Sequence, residues 1–432
     1  MRKRMCLLPA LLFLLSGCFG SEDLLRAPRP AVQYRNLQTQ IDALLANGYT
    51  YSVPAAGDDR QAVLMADLTG DGREEAVVLL RSETESMLRV FLPGDGDFTA
   101  LPPVTENAES VHSVVFYDIN GDGRREIIVG WQVAGRRFLS VYAIDGDALA
   151  EIFSRPFSGY TVYNMEGEGA AALILVRVDS AEQVVETVAE RGGELVLTGT
   201  AYLSRGAEAV RRIRTGPLSD GSPGLYVASQ YQTSEEVTDV FAFREGGPVN
   251  ITANMETGVS EALVRQISVA AADINGDGIL DLPRPIRLPR RPGEDESADP
   301  YYEIRWSAYD SNGLSVETAR TYHSVNWYIV LPEQWPEHYA VRRSLVSVSQ
   351  SVTTFSILEG GDEPVDFLKV YYVTQAAGGQ PPVHGRTVLD SQDNLLVTAE
   401  IIPLKDRLAR HNVGEQELKA MFHLITADWR GT

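Results

Sequence analysis

Three nine-residue segments constrain this chain more than anything else in it. They read Asp67-Leu68-Thr69-Gly70-Asp71-Gly72-Arg73-Glu74-Glu75, Asp118-Ile119-Asn120-Gly121-Asp122-Gly123-Arg124-Arg125-Glu126 and Asp273-Ile274-Asn275-Gly276-Asp277-Gly278-Ile279-Leu280-Asp281. Each follows an apolar run (QAVLMA, HSVVFY, QISVAAA), and the first two also precede one (EAVVLL, EIIVGW). Short apolar runs on either side of a Gly- and Asp-rich turn read as paired strands. The first two segments lie 51 residues apart and the third a further 155 on, about three such periods. Two degenerate copies are expected between them: Tyr163-Asn164-Met165-Glu166-Gly167-Glu168-Gly169 before AAALILVRV, and Leu218-Ser219-Asp220-Gly221 before GLYVASQ. A period near fifty residues accommodates four short strands and their turns. It predicts an all-β fold, a β-propeller of about six to seven four-stranded blades, with short helices at the two ends.

The coarse layout follows from that period. The second repeat is expected to place strands near 111–117, 126–133, 137–143 and 148–153, with a turn at Asp145-Gly146. A hairpin, YEIRWSAY-DSNG-LSVETA, occupies 302–319. It is separated from the third segment by PRPIRLPRRPGEDESADP (283–300), a proline-rich, basic then acidic stretch that reads as an exposed loop. A sixth unit is expected from VNWYIVLP (325–332) to FLKVYYVT (367–374), so the repeats occupy 50–375. Before them, Leu37, Ile41, Leu44 and Leu45 share one helical face, predicting a helix over 34–49 that ends near Gly48. After them, 376–432 holds a predicted hairpin (387–401) and a helix bearing Leu418, Met421, Phe422 and Ile425. This end either caps the repeats or forms an appendage.

Residues 1–17 have a basic start (Arg2, Lys3, Arg4) and an apolar run from Leu7 to Leu15 too short to span a bilayer. That is the layout of a secretory signal. The sequence Leu15-Ser16-Gly17-Cys18 resembles a bacterial lipobox, which implies cleavage before Cys18 and lipidation of its sulfur, with residues 18–33 as a tether. The expected place is the cell envelope, outside the cytoplasm and anchored to a membrane by lipid. The only other cysteine, Cys6, lies in the signal, so no disulfide framework is available. With 59 Asp+Glu against 38 Lys+Arg and a net charge of -21, the chain lacks the cationic footprint that nucleic acid requires.

The loops themselves are rich in oxygen donors. Positions 1, 3, 5 and 9 carry Asp67, Thr69, Asp71 and Glu75; Asp118, Asn120, Asp122 and Glu126; and Asp273, Asn275, Asp277 and Asp281. Calcium takes six to eight oxygens, often with a backbone carbonyl, here from position 7: Arg73, Arg124 or Ile279. No His or Cys is present for a softer metal. Position 12 is Val78, Val129 or Arg284, not the Glu that an EF-hand loop needs. A polar turn without metal is the alternative for any single copy.

These loops resemble the calcium loops of FG-GAP/VCBS-type repeats, the integrin α-like style of β-propeller. The resemblance covers about residues 50–330 and is specific in the three loops; the Phe-Gly and Gly-Ala-Pro segments that name the family are not evident. It implies Ca2+ as a structural ion joining the first two strands of a blade, and a ligand, protein or glycan, bound by other loops.

Catalytic motifs are sparse. The histidines (112, 323, 338, 384, 411, 423) form no HExxH, and neither a GxSxG elbow nor a phosphate loop occurs. His112 and His323 read as strand-edge residues, and Trp306, Trp327 and Trp335 as core. The expectation is a non-enzymatic binding module, with a polysaccharide-acting hydrolase or lyase as the alternative and a purely structural envelope protein as a third possibility.

Overall fold

A computed structural model describes residues 32–164, 171–267, 269–294, 299–358, 363–374, 384–392 and 394–425. The signal (1–17), Cys18 and the tether up to residue 31 lie outside the described residues, as do 165–170 of the third, degenerate repeat loop. Among the described residues no helix is long and apolar enough to cross a membrane.

Helix α1 (Val32–Ala46) starts two residues earlier than expected and ends where Gly48 takes a positive φ of 95°. Leu37 and Ile41 are buried, and Leu44 and Leu45 pack beside them. Their partners are Ala76, Val78, Leu80 and Phe91 on the first sheet, so the helix is held by its apolar stripe.

Among the described residues, the strands form six antiparallel sheets. Sheet 1 contains β1 (Thr50–Tyr51), β2 (Val63–Ala66), β3 (Glu75–Arg81), β4 (Ser86–Pro93), β5 (Phe98–Ala100) and β6 (Val104–Glu106). Sheet 2 is a four-strand meander of β7 (Ser110–Tyr117), β8 (Glu126–Val133), β9 (Arg136–Asp145) and β10 (Ala148–Pro156), matching the strands read from the second repeat. Sheet 3 contains β11 (Gly159–Tyr163), β12 (Ala172–Val178), β13 (Gln183–Arg191) and β14 (Glu194–Tyr202). Sheet 4 contains β15 (Ala207–Pro217), β16 (Pro223–Tyr231), β17 (Glu235–Arg244), β18 (Gly247–Asn250) and the short β19 (Val264–Arg265). Sheet 5 is built on β20 (Leu282–Arg287), β21 (Tyr302–Tyr309), β22 (Ser315–His323) and β23 (Trp327–Val330). Sheet 6 runs β24 (Tyr339–Ser347), β25 (Gln350–Ile357), β26 (Val365–Thr374), then β28 (Leu395–Ile401) and β27 (Thr387–Gln392). A final helix, α2 (Glu415–Met421), leads into β29 (Phe422–Leu424). Six consecutive sheets, each built on a local meander, are the blades that the fifty-residue period predicts.

The chain divides into two compact units. The first holds sheet 1 and most of sheet 2. Its core is the facing inner strands: Val77 and Leu79 of β3, Leu88 and Val90 of β4, Ile127, Val129 and Trp131 of β8. The second holds sheets 3 to 6. There Ile174 and Val185 meet Leu225 and Phe241 between sheets 3 and 4. Leu218, Tyr226 and Val240 meet Leu282 and Tyr309 between sheets 4 and 5. Tyr322 and Trp327 meet Phe355 and Val370 between sheets 5 and 6, where Trp335 and Phe367 fill the layer. Central strands read as continuous apolar runs because both of their faces are covered.

Four expectations change. The stretch 283–300 is not all loop: its first residues form β20, in register with β21 from Leu282↔Ser307 to Arg287↔Tyr302. β20 is the edge strand of its sheet, so Pro283 and Pro285 break no central ladder. The segment 325–332 is not the start of a sixth unit but supplies the fourth strand of sheet 5. The 387–401 hairpin forms as expected, yet it is no appendage, since β28 pairs with β26 throughout Leu368↔Ile401 to Thr374↔Leu395. The terminal helix is one turn shorter than its apolar pattern suggests: Phe422 leaves it to pair with Ile329, and β29 becomes the last strand of sheet 5.

Candidate functional site

The three loops connect strands in the same way. In the first, Ala66 pairs with Glu75; in the third, Ala272 bridges to Asp281, so positions 0 and 9 close the loop as strand partners. The second runs between β7 and β8. Both glycines of each copy have positive φ: 73° and 83° for Gly70 and Gly72, 74° and 86° for Gly121 and Gly123, 78° and 84° for Gly276 and Gly278. A backbone that needs two left-handed residues two positions apart explains the fixed GxG spacing.

The acceptors are arranged alike. Asp67 accepts from the N–H groups of Gly70 (2.8 Å) and Gly72 (3.0 Å). Asp273 accepts from Gly276 (2.7 Å), Asp277 (3.0 Å) and Gly278 (2.8 Å). Asp118 accepts from Gly121 (2.7 Å) and Asp122 (3.1 Å). Asn120 and Asn275 each accept from the N–H of the Asp at position 5. Asp71 instead accepts from Arg73, through both the N–H and the guanidinium, which holds its carboxyl below the usual range.

Position 9 is the buried member. Glu75, Glu126 and Asp281 are each 2% exposed or less, at the start of the following strand. Glu75 accepts from the N–H of Leu68 at 2.6 Å, and Asp281 from Ile274 at 3.0 Å and from the Thr318 hydroxyl at 2.6 Å. Burial pushes both carboxyls up; these hydrogen bonds oppose the shift, while Asp71 and Asp67, or Asp277 and Asp273, add to it by repulsion. Position 2 was not singled out from sequence, but Leu68 and Ile119 are buried at 1% and 0% and hold the loop to the core. Its apolar character in all three copies was the available signal.

A cation's fit is therefore mixed but specific. The donor set is all oxygen, suited to a hard ion, and the buried carboxylate of loops 1 and 3 lies within repulsive range of two others. Among the described residues, however, no three Asp, Glu, His or Cys side chains converge closely enough to hold a metal as they stand. The carboxylates are engaged on backbone N–H groups. The carbonyl-bearing residues Arg73, Arg124 and Ile279 occupy position 7 as expected, with Ile279 N–H donating to Asp277 at 2.8 Å.

The degenerate copy at 218–221 shows what replaces this arrangement. Asp220 accepts from the N–H and hydroxyl of Ser222, and from the N–H (3.0 Å) and hydroxyl (2.6 Å) of Ser311 in the β21–β22 turn. These donors depress its pKa strongly. One carboxylate thus ties sheet 4 to sheet 5 through serines. Trp306, Trp327 and Trp335 are 2% exposed or less, so all three are core. His323 ends β22, and burial lowers its pKa to about 4.

The repeat is recognised from sequence by one family model. The sequence profile of the FG-GAP-like repeat matches residues 67–129, which contain the first two loops and the strands between them. No curated protein matches the chain's sequence. Among solved structures, the rhamnogalacturonan lyase YesW is similar at 14% identity and TM-score 0.30, covering 72% of this chain and 71% of its own. The Bacillus licheniformis rhamnogalacturonan lyase PL11 gives 14% and 0.29, over 82% and 72%. The Dos1 propeller gives 9% and 0.28, over 64% and 66%. At these scores the likenesses carry no argument about activity. What stands is a β protein of six antiparallel sheets carrying an FG-GAP-like repeat at residues 67–129.

Proposed function

We propose that this chain is a lipid-anchored protein of the cell envelope whose β-propeller is stabilised by calcium and serves as a protein- or glycan-binding module. One observation carries the calcium part: the same two-glycine loop recurs three times, each ending on a buried carboxylate at position 9. Asp67, Thr69, Asp71 and Glu75, with their counterparts in loops 2 and 3, would hold the ion, with the position 7 carbonyls completing it. The ion would neutralise a repulsive acidic group and tie the two strands each loop joins. Binding would require the carboxylates to leave the N–H groups they accept from. The anchor rests on Leu15-Ser16-Gly17-Cys18.

The test is a thermal melt of the protein with millimolar calcium and with chelator. Calcium should raise Tm by several degrees, since a ligand at 100 times its Kd contributes about 2.7 kcal/mol per site. Asp122→Ala should lose only part of that increment, because two loops remain. Equal melting with and without calcium overturns the ion's role. Binding to a panel of immobilised glycans and envelope proteins tests the module itself.

A further inference from the structure

A cavity of about 480 Å³ lies at the β16–β17 hairpin end of sheet 4. It is the end opposite the Asp220 turn, the sheet-4 counterpart of the acidic loops. We propose that this cavity is a subsite for a carboxylate-bearing sugar, a uronate unit of an acidic glycan. The proposal rests on the glycan-binding form of the reading above and gives it a place.

Arg265 is 3% exposed and rigidly held. Its guanidinium donates to the carbonyls of Val269 (2.8 Å) and Leu263 (3.2 Å) and to the Thr238 hydroxyl (2.9 Å), and pairs with Glu236 across the β17–β19 ladder. Arg212, half-buried on β15, lines the same cavity, and among the described residues no carboxylate pairs with it. Burial pushes the Arg265 and Arg214 pKa values down, and the Arg212 charge adds to both shifts. A guanidinium without a counter-ion, beside a second one, is unusual in a chain of net charge -21. It recruits an anion, and a planar carboxylate is the group a guanidinium fork binds bidentately.

The other walls suit a sugar ring. Gln230, Gln266, Thr233 and Ser234 bring amides and hydroxyls beside the carboxylates of Glu235 and Glu236 and the guanidinium of Arg211; Gln230 is hydrogen-bonded to Arg211 and Glu208, and Gln266 to Glu235. A neighbouring cavity of about 390 Å³ shares Ile267 with the first and carries Tyr301 and Tyr302. Its aromatic and apolar lining fits the C–H face of an adjoining sugar. Both volumes fall within the roughly 300–1,000 Å³ of small-ligand sites.

The experiment uses the whole protein with calcium present and isothermal titration at low and high salt. The probes are a glucuronic acid tetramer, its methyl ester and a tetraglutamate peptide. The acid tetramer should bind, more weakly at high salt, with the ester and the peptide each at least about tenfold weaker. Arg212→Ala should weaken the acid tetramer about tenfold with an unchanged Tm, and Arg212→Lys should recover only part, lacking the fork. The proposal is overturned if the acid tetramer fails to bind, if the ester or the peptide binds as tightly, or if Arg212→Ala binds like wild type. A glycan or protein captured from the panel equally by wild type and Arg212→Ala keeps the binding-module reading and removes this site. A panel that captures nothing removes both.

Discussion

At the scale of single residues, the two glycines of each loop do different work. Gly72 has a φ of 83° and open space where a Cβ would stand. Gly70 has a φ of 73°, and a Cβ there would lie 2.5 Å from the carbonyl oxygen of Gly123 in the second loop. The adjacent Arg125 N–H also donates to Leu68 O at 3.0 Å, so loops 1 and 2 are backbone neighbours. Gly72→Ala should therefore cost only the strain of a left-handed alanine, about 1–2 kcal/mol. Gly70→Ala adds a backbone clash and should cost about 2–4 kcal/mol in urea unfolding. Equal costs would show that the two loops do not touch as described. The Gly-x-Gly spacing exposes both glycines to a reader of the sequence. It does not distinguish them, because the distinction is a contact with a residue 53 positions away.

At the scale of elements, short apolar patterns are where local reading and structure part. Leu418, Met421, Phe422 and Ile425 fit a helix, and the first two are indeed buried on α2. Phe422 is instead the first residue of β29, because the edge of β23 offers Trp327 to Ile329 as partners and a β-strand satisfies more backbone there than another helical turn. The Phe422 ring packs on Trp327 with centroids 5.7 Å apart, while His423 faces outward onto Tyr328. Phe422→Ala is expected to lower stability by about 3–5 kcal/mol, and His423→Ala by less than about 1 kcal/mol, by chemical denaturation. A loss below about 1 kcal/mol for Phe422→Ala would contradict its place in this packing. Strong periodic elements, such as α1 and the meander of sheet 2, were legible because burial and local pattern agree in them. β20 was hidden by its prolines, which only an edge position tolerates.

At the scale of the whole molecule, stability is set by sheets stacked through shared apolar layers, and several titratable groups sit within or against them. His323 is one. Its folded pKa, about 4 because of burial, lies below the 6.5 of an exposed histidine. The neutral form is favoured in the fold, so its contribution is complete above pH 6.5 and is lost as pH falls from 6.5 toward 4. At about 1.36 kcal/mol per pKa unit, the loss is at most about 3 kcal/mol. The pH dependence of wild type should exceed that of His323→Gln by up to this amount across that window; parallel curves would contradict it. The sequence by itself determined the β class, the fifty-residue period, the three loops and their oxygen donors, since these depend on residue type at short spacing. Tertiary structure alone decided which carboxylate of each loop is buried, that Asp220 reaches Ser311, that the C-terminal strand completes sheet 5, and that Arg212 and Arg265 share a cavity. Each of those depends on residues far apart in the chain, brought together only when the sheets pack.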